Sequence, residues 1–128
     1  MNTPTLHKIL YVEDEPDIQT IARLALQEVG GFDLCLCSNG AEALALADDY
    51  RPDLLILDVM LPGMDGPATL AELRKKPALA TTPALFMTAK VQPQELEQLR
   101  AQGVVGVITK PFDPMTLAGT VRDIWHKI

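Results

Sequence analysis

Leu54-Leu55-Ile56-Leu57-Asp58 runs directly into Val59-Met60-Leu61-Pro62-Gly63-Met64-Asp65-Gly66. Four consecutive apolar residues, stopped by an acid and followed by a Pro/Gly turn, read as a short strand covered on both faces. Such strands belong to parallel sheets layered with helices. Similar runs lie on either side: Ile9-Leu10-Tyr11-Val12 ends on Glu13-Asp14, Ala84-Leu85-Phe86-Met87 ends on Thr88, and Val104 to Thr109 ends on Lys110-Pro111. Apolar runs that stop at acid, acid, hydroxyl and lysine predict a polar site along one rim of a buried sheet.

Helix-like stretches fill the intervals. Glu15-Pro16-Asp17 starts the first, since proline suits a first turn and acids suit its positive end. Ile18, Ile21, Ala22, Ala25, Leu26 and Val29 then repeat at helical spacing until Gly30-Gly31. A short strand over Asp33 to Cys37 follows, and Asn39-Gly40 leads into an Ala/Leu-rich helix ending near Asp49-Tyr50. A third helix runs from about Asp65-Gly66-Pro67 to Lys76-Pro77. Pro93 opens an acidic fourth, closed by Gly103. Asp113-Pro114 starts a last one, with Leu117, Val121, Ile124, Trp125 and Ile128 on one apolar face. Five β-α units in order predict an α/β fold: a five-stranded parallel sheet, doubly wound with right-handed crossovers.

The chain of 128 residues is long enough for one core and is read as a single domain over 1–128. Its formal net charge of −6 disfavours direct nucleic-acid binding. No apolar stretch approaches the ~20 residues that span a bilayer, so membrane insertion is not expected. The start, Met1 to Lys8, lacks a secretory pattern, and a cytoplasmic location is the default expectation. Cys35 and Cys37 alternate onto one strand face, too close in sequence for a structural disulfide, and read as small hydrophobes. His7 and His126 read as surface residues.

In open α/β sheets, ligands bind outside the carboxyl ends of the strands. That rule gathers Glu13, Asp14, Asp58, Thr88 and Lys110 around one crevice. Three carboxylates crowded together would repel, and a hard divalent cation such as Mg²⁺ relieves that by taking oxygen ligands. Lys110 adds a compact positive charge and Thr88 a hydroxyl donor. A carboxylate can also act as a nucleophile for phosphoryl transfer, forming an aspartyl phosphate. Taken singly, each residue has a plainer reading: an Asp after a strand caps a turn, a lysine is solvated, a threonine starts a loop. Their joint placement at one sheet edge favours a site.

Four segments carry a more specific likeness. Leu10-Tyr11-Val12-Glu13-Asp14-Glu15, Leu57 to Gly66, Met87-Thr88-Ala89 and Thr109-Lys110-Pro111-Phe112 together resemble the receiver domain of two-component response regulators, over nearly the whole chain. The resemblance implies a flavodoxin-like sheet of order 2-1-3-4-5 and a phosphoacceptor signalling module, not an enzyme acting on other substrates. It implies that Asp58 accepts a phosphoryl group from a histidine kinase or histidine phosphotransfer protein. By the same likeness Glu13, Asp14, Asp58 and the Met60 carbonyl surround Mg²⁺, while Thr88 and Lys110 contact phosphoryl oxygens. Thr88 then reports to a downstream protein through the face of the fourth helix, fifth strand and fifth helix. A cis Lys110-Pro111 bond is implied too.

Two positions depart from that pattern. Receivers commonly carry an aromatic three residues before the lysine; here it is Val107, which has no ring to swing. Val105-Gly106 stands where many transcriptional receivers have an acidic pair, which lowers the expectation of an acidic-basic dimer. A stand-alone receiver is the favoured reading, and a receiver cut from a hybrid kinase or longer regulator is its rival. A haloacid-dehalogenase-like phosphatase wants a second acid two positions after the nucleophile, where Met60 stands. A flavodoxin-like cofactor domain wants a phosphate loop after the first strand, where Glu13-Asp14-Glu15-Pro16 would repel phosphate.

Overall fold

Leu54–Asp58 forms β3, and all five of its residues are buried. The computed structural model describes residues 4–89 and 92–128. Within them, β1 is Lys8–Val12, β2 Asp33–Cys37, β4 Ala84–Thr88 and β5 Gly106–Thr109. The strands make one parallel five-stranded sheet in the order β2-β1-β3-β4-β5. This is the doubly wound, flavodoxin-like arrangement expected, with the order reversing between β1 and β3.

Helices cover both faces. On one face lie α1, Pro16–Ala22, continued by a π-helical stretch over Arg23–Val29, and α5, Leu117–His126. They bury Ile9, Tyr11, Leu54, Ile56, Leu85 and Met87 from the sheet beneath Ala22, Leu26, Val121 and Trp125. The opposite face carries α2, Gly40–Tyr50, α3, Gly66–Arg74, and α4, Pro93–Arg100, over Leu10, Val12, Leu55, Leu57 and Phe86. Alternation along each strand splits its residues between these two cores. The ladder is extended by one bond at its carboxyl edge in three places. Glu13 N–H donates to the Cys37 carbonyl at 2.9 Å, Val59 N–H to Met87 at 2.9 Å, and Lys110 N–H to Thr88 at 2.7 Å. Those bonds hold the ends of β1, β3, β4 and β5 level.

Local expectations mostly hold, with five differences. Asn39 caps α2, accepting from Glu42 N–H at 2.8 Å, instead of merely turning the chain. β5 starts at Gly106, so Val104 and Val105 precede it, although Val105 N–H still bonds the Ala84 carbonyl at 2.9 Å. Asp113 does not begin the last helix; its carboxylate and carbonyl tie Met115, Thr116 and Leu117 into a lead-in turn. α5 ends at His126, which leaves Ile128 exposed and off the apolar face. In the first helix Ala22, Ala25 and Leu26 are buried, whereas Ile21 and Val29 face outward. The wider π turn after Ala22 explains Val29, because it changes the angle between successive side chains there, whereas Ile21 is already exposed within α1 itself.

Cys37 is buried and Cys35 half-buried, both as free thiols. His7 and His126 are exposed. No helix is long and apolar enough to cross a membrane among the described residues.

Candidate functional site

Register brings the predicted residues together. Asp58 ends β3 opposite Met87, and Thr88 ends β4 opposite Thr109. Glu13 follows β1 by one residue and Lys110 follows β5 by one. Glu13, Asp58 and Thr88 are buried, although each is polar. Burying two carboxylates is costly unless they are paired and hydrogen-bonded. Lys110 does the pairing: its Nζ lies 3.2 Å from Glu13 Oε1 and 3.0 Å from Asp58 Oδ2. Asp58 Oδ1 also accepts a long bond from Met60 N–H at 3.4 Å, and Glu13 Oε2 accepts from Glu15 N–H at 3.2 Å.

The balance of charge remains negative. Burial, above all, pushes the Glu13 carboxyl up to about 7; the Asp58 charge adds to this, while the Glu15 N–H and Lys110 oppose it. Burial alone would lower the Lys110 ammonium, but the bonds and charges of Asp58 and then Glu13 outweigh it and hold the proton on. One ammonium thus faces three acids, because Asp14 joins the set: Glu13, Asp14 and Asp58 each offer an oxygen within 4.8 Å of the others. Closely spaced hard oxygen donors with excess negative charge suit a small divalent cation, and they fit Mg²⁺ by chemistry and charge. Met60 lies beside them in sequence, with its side chain largely exposed.

Several supporting groups are not evident from sequence. Gln19 Nε2 donates to the Glu13 carbonyl at 2.6 Å and to Ser38 Oγ at 3.2 Å, tying α1 to the acid-bearing loop. Gly66 is packed so tightly that a Cβ there would lie 2.4 Å from the Asp58 carbonyl oxygen. In the turn between them, Gly63 adopts φ 74°, a left-handed conformation that glycine reaches without strain. Asp65 caps α3 by accepting from Ala68 N–H at 2.8 Å. The helical period of α1 conveys neither the reach of Gln19 nor the tightness at Gly66, since both arise from tertiary packing. A helix-starting Asp-Gly-Pro is the only local sign.

Beside the acids, an open groove of about 330 Å³ is lined by Glu15, Ile18, Ile21, Ala89, Lys110, Pro111 and Phe112. The Lys110-Pro111 bond that borders it is cis. Val107 is half-buried opposite Phe86 in β4, and packs on the core beneath α2, α3 and α4.

Comparison with known proteins points one way. The sequence model of the family described as "Response regulator receiver domain" matches residues 9–122. The Bacillus subtilis alkaline phosphatase synthesis transcriptional regulatory protein PhoP is 37% identical over 120 residues, covering 94% of this chain and 49% of that protein. Among solved structures, chemotaxis protein CheY4 of Vibrio cholerae superposes with a TM-score of 0.84 at 32% identity, covering 94% of this chain and 99% of that one. The receiver domain of a signal transduction histidine kinase from Syntrophus aciditrophicus gives 0.79 at 33% identity, with 95% and 92% covered. The chain spans about half the length of most of the curated relatives it matches.

Proposed function

The chain belongs to the response regulator receiver domain family of two-component systems, and we propose that it forms one receiver domain over residues 1–128 with Asp58 as phosphoacceptor. The observation that carries this is the Lys110 bridge to two buried carboxylates beside a third acid. A structural ion pair needs one acid; three acids around one ammonium leave charge that a cation and a phosphoryl group can use.

The donor is a phosphohistidine of a histidine kinase or a phosphotransfer protein. An Asp58 carboxylate oxygen attacks phosphorus, the N–P bond breaks as the O–P bond forms, and the departing imidazole nitrogen takes a proton. Glu13, Asp14, Asp58 and the Met60 carbonyl would hold Mg²⁺, which would supply neutralisation of the phosphoryl charge. Lys110 needs only a short shift to turn its ammonium from Asp58 to a phosphoryl oxygen. Thr88, fixed at the end of β4, offers its hydroxyl to another. The chemistry is confined to this self-modification and its hydrolytic reversal. Binding of a downstream protein follows at the face made by α4, β5 and α5. Val107 supplies no ring for that step, so the signal leaves through Thr88 and the backbone that follows it.

Location in the cytoplasm fits the proposed partners. A receiver that is part of a longer regulator or hybrid kinase is the second reading, favoured by the half-length coverage of relatives such as PhoP.

Acetyl phosphate with Mg²⁺ should add one phosphoryl group to the wild type and none to Asp58→Asn, by intact mass. Equal labelling of the two proteins would defeat the assignment.

A further inference from the structure

Tyr11 lies directly beneath the site and is not explained by it. It is wholly shielded from solvent on the α1/α5 face of β1, flanked in register by Leu36 of β2 and Ile56 of β3. Its ring fills the core, but its hydroxyl is buried without a hydrogen-bond partner among the described residues. Leaving a buried hydroxyl unpaired costs free energy, and phenylalanine would keep the ring and avoid that cost. An unsatisfied buried group therefore calls for a reason in another state of the protein.

The alternation of β1 puts Tyr11 on the same face as Glu13, two residues on, and Ile56 beside it stands two residues before Asp58. A phenol is a hydrogen-bond donor, and this one lies on the sheet face that leads to both carboxylates. In the present state Lys110 serves Glu13 and Asp58 together. Once Asp58 carries a phosphoryl group, the ammonium is drawn to its oxygens. Glu13 Oε1 then loses its ammonium partner, and a carboxylate has lone pairs enough to accept a hydrogen bond as well as to meet a cation.

We propose that Tyr11 is a positioning residue whose hydroxyl donates to the Glu13 carboxylate when Lys110 turns to the phosphoryl group on Asp58. The inference rests on the phosphoacceptor reading and adds a residue to it. The unpaired hydroxyl weakens the resting fold and strengthens the phosphorylated one, which biases the domain toward its signalling state.

Two measurements on the full chain test this. Urea unfolding without metal should give Tyr11→Phe a midpoint at or above that of the wild type. Titration with beryllium fluoride, a phosphoryl mimic, in saturating Mg²⁺ should give Tyr11→Phe a dissociation constant about tenfold weaker, the size of a lost hydrogen bond to a charged group (~1.4 kcal/mol). Weakening by threefold or more, with the midpoint preserved, supports the proposal. Weakening of less than threefold overturns it, as does a lower metal-free midpoint, which would mean that the hydroxyl already has a partner. Asp58→Asn separates the two levels: it should bind no beryllium fluoride. Binding equal to the wild type there would remove the phosphoacceptor reading itself, and the role of Tyr11 with it.

Discussion

Glu13 is shielded from water, yet it is an acid whose resting partner is shared with Asp58. Its carboxyl holds a proton up to about 7 in the folded chain, against an ordinary value of 4.5 in the unfolded one. Between those two values the folded state binds more protons than the unfolded state. Stability of the metal-free protein should therefore fall as pH rises from about 4.5 to 7, and level off above. The loss is on the order of 2–3 kcal/mol over that window, since a tenfold change in proton affinity is worth about 1.4 kcal/mol. Urea midpoints taken in a chelator at pH 5, 6, 7 and 8 would follow it, and Glu13→Gln should flatten the trend. A midpoint that climbs from pH 5 to 7 would mean that Lys110 keeps Glu13 ionised throughout, with no demand left for a cation. At this scale the sequence was informative about identity and silent about environment. It pointed to Glu13, Asp14, Asp58, Thr88 and Lys110 as neighbours, because strand ends in a parallel sheet share a rim. Nothing in the order of residues reveals that Glu13 is dry, or that the hydroxyl of Tyr11 lacks a partner. Those properties depend on side chains that arrive from other strands.

The strands of this chain were readable because their composition has a single explanation. Four apolar residues in succession, as in Leu54 to Leu57, bury both faces, and only a strand layered between helices does that at such length. Helix interiors were less legible. Six of the apolar residues between Ile18 and Val29 fit a regular helix, but the chain switches to π geometry after Ala22, and Val29 turns outward. A period of 3.6 cannot announce a change of period. The turn between β3 and α3 shows a similar gap. Asp65-Gly66-Pro67 marked a helix start, whereas Gly66 is required for a different reason: it lets α3 begin against the backbone of Asp58 and Val59. A Cβ at Gly66 would meet the Asp58 carbonyl oxygen at 2.4 Å and the Val59 Cα at 2.9 Å, and neither belongs to a flexible side chain. Gly66→Ala should accordingly lower the unfolding free energy by about 2 kcal/mol, within the usual range for overpacking. Because relief requires the Asp58 backbone to move, labelling by acetyl phosphate should slow by tenfold or more in the same variant. Urea unfolding and a mass time course on one preparation would report both. A variant that loses stability but labels at the wild-type rate would show that the strain is relieved through α3 and not through β3.

Taken whole, the molecule is a sheet with two cores and a polar rim, and the rim works against the cores. Burying Glu13 and Asp58 beside Asp14 concentrates negative charge in a chain whose formal net charge is already −6. A cation that binds the folded chain and not the unfolded one offsets that cost through mass action, by RT ln(1 + [L]/Kd), or about 2.7 kcal/mol at a hundredfold excess over Kd. Mg²⁺ should thus raise the urea midpoint of the wild type progressively, and should remove the fall in stability between pH 5 and 7, since a metal-bound carboxylate no longer takes up protons there. Asp14→Asn is the discriminating variant. Asp14 is only half-buried and stands outside the Lys110 bridge, so its neutralisation should leave the metal-free midpoint nearly unchanged. The gain from Mg²⁺ should nevertheless shrink severalfold, because one of three converging oxygens no longer carries charge. NaCl at matched ionic strength controls for general screening of an acidic protein. If Asp14→Asn gained as much from Mg²⁺ as the wild type, or if NaCl reproduced the gain, the stabilisation would belong to the diffuse charge of the surface and not to the carboxylate cluster.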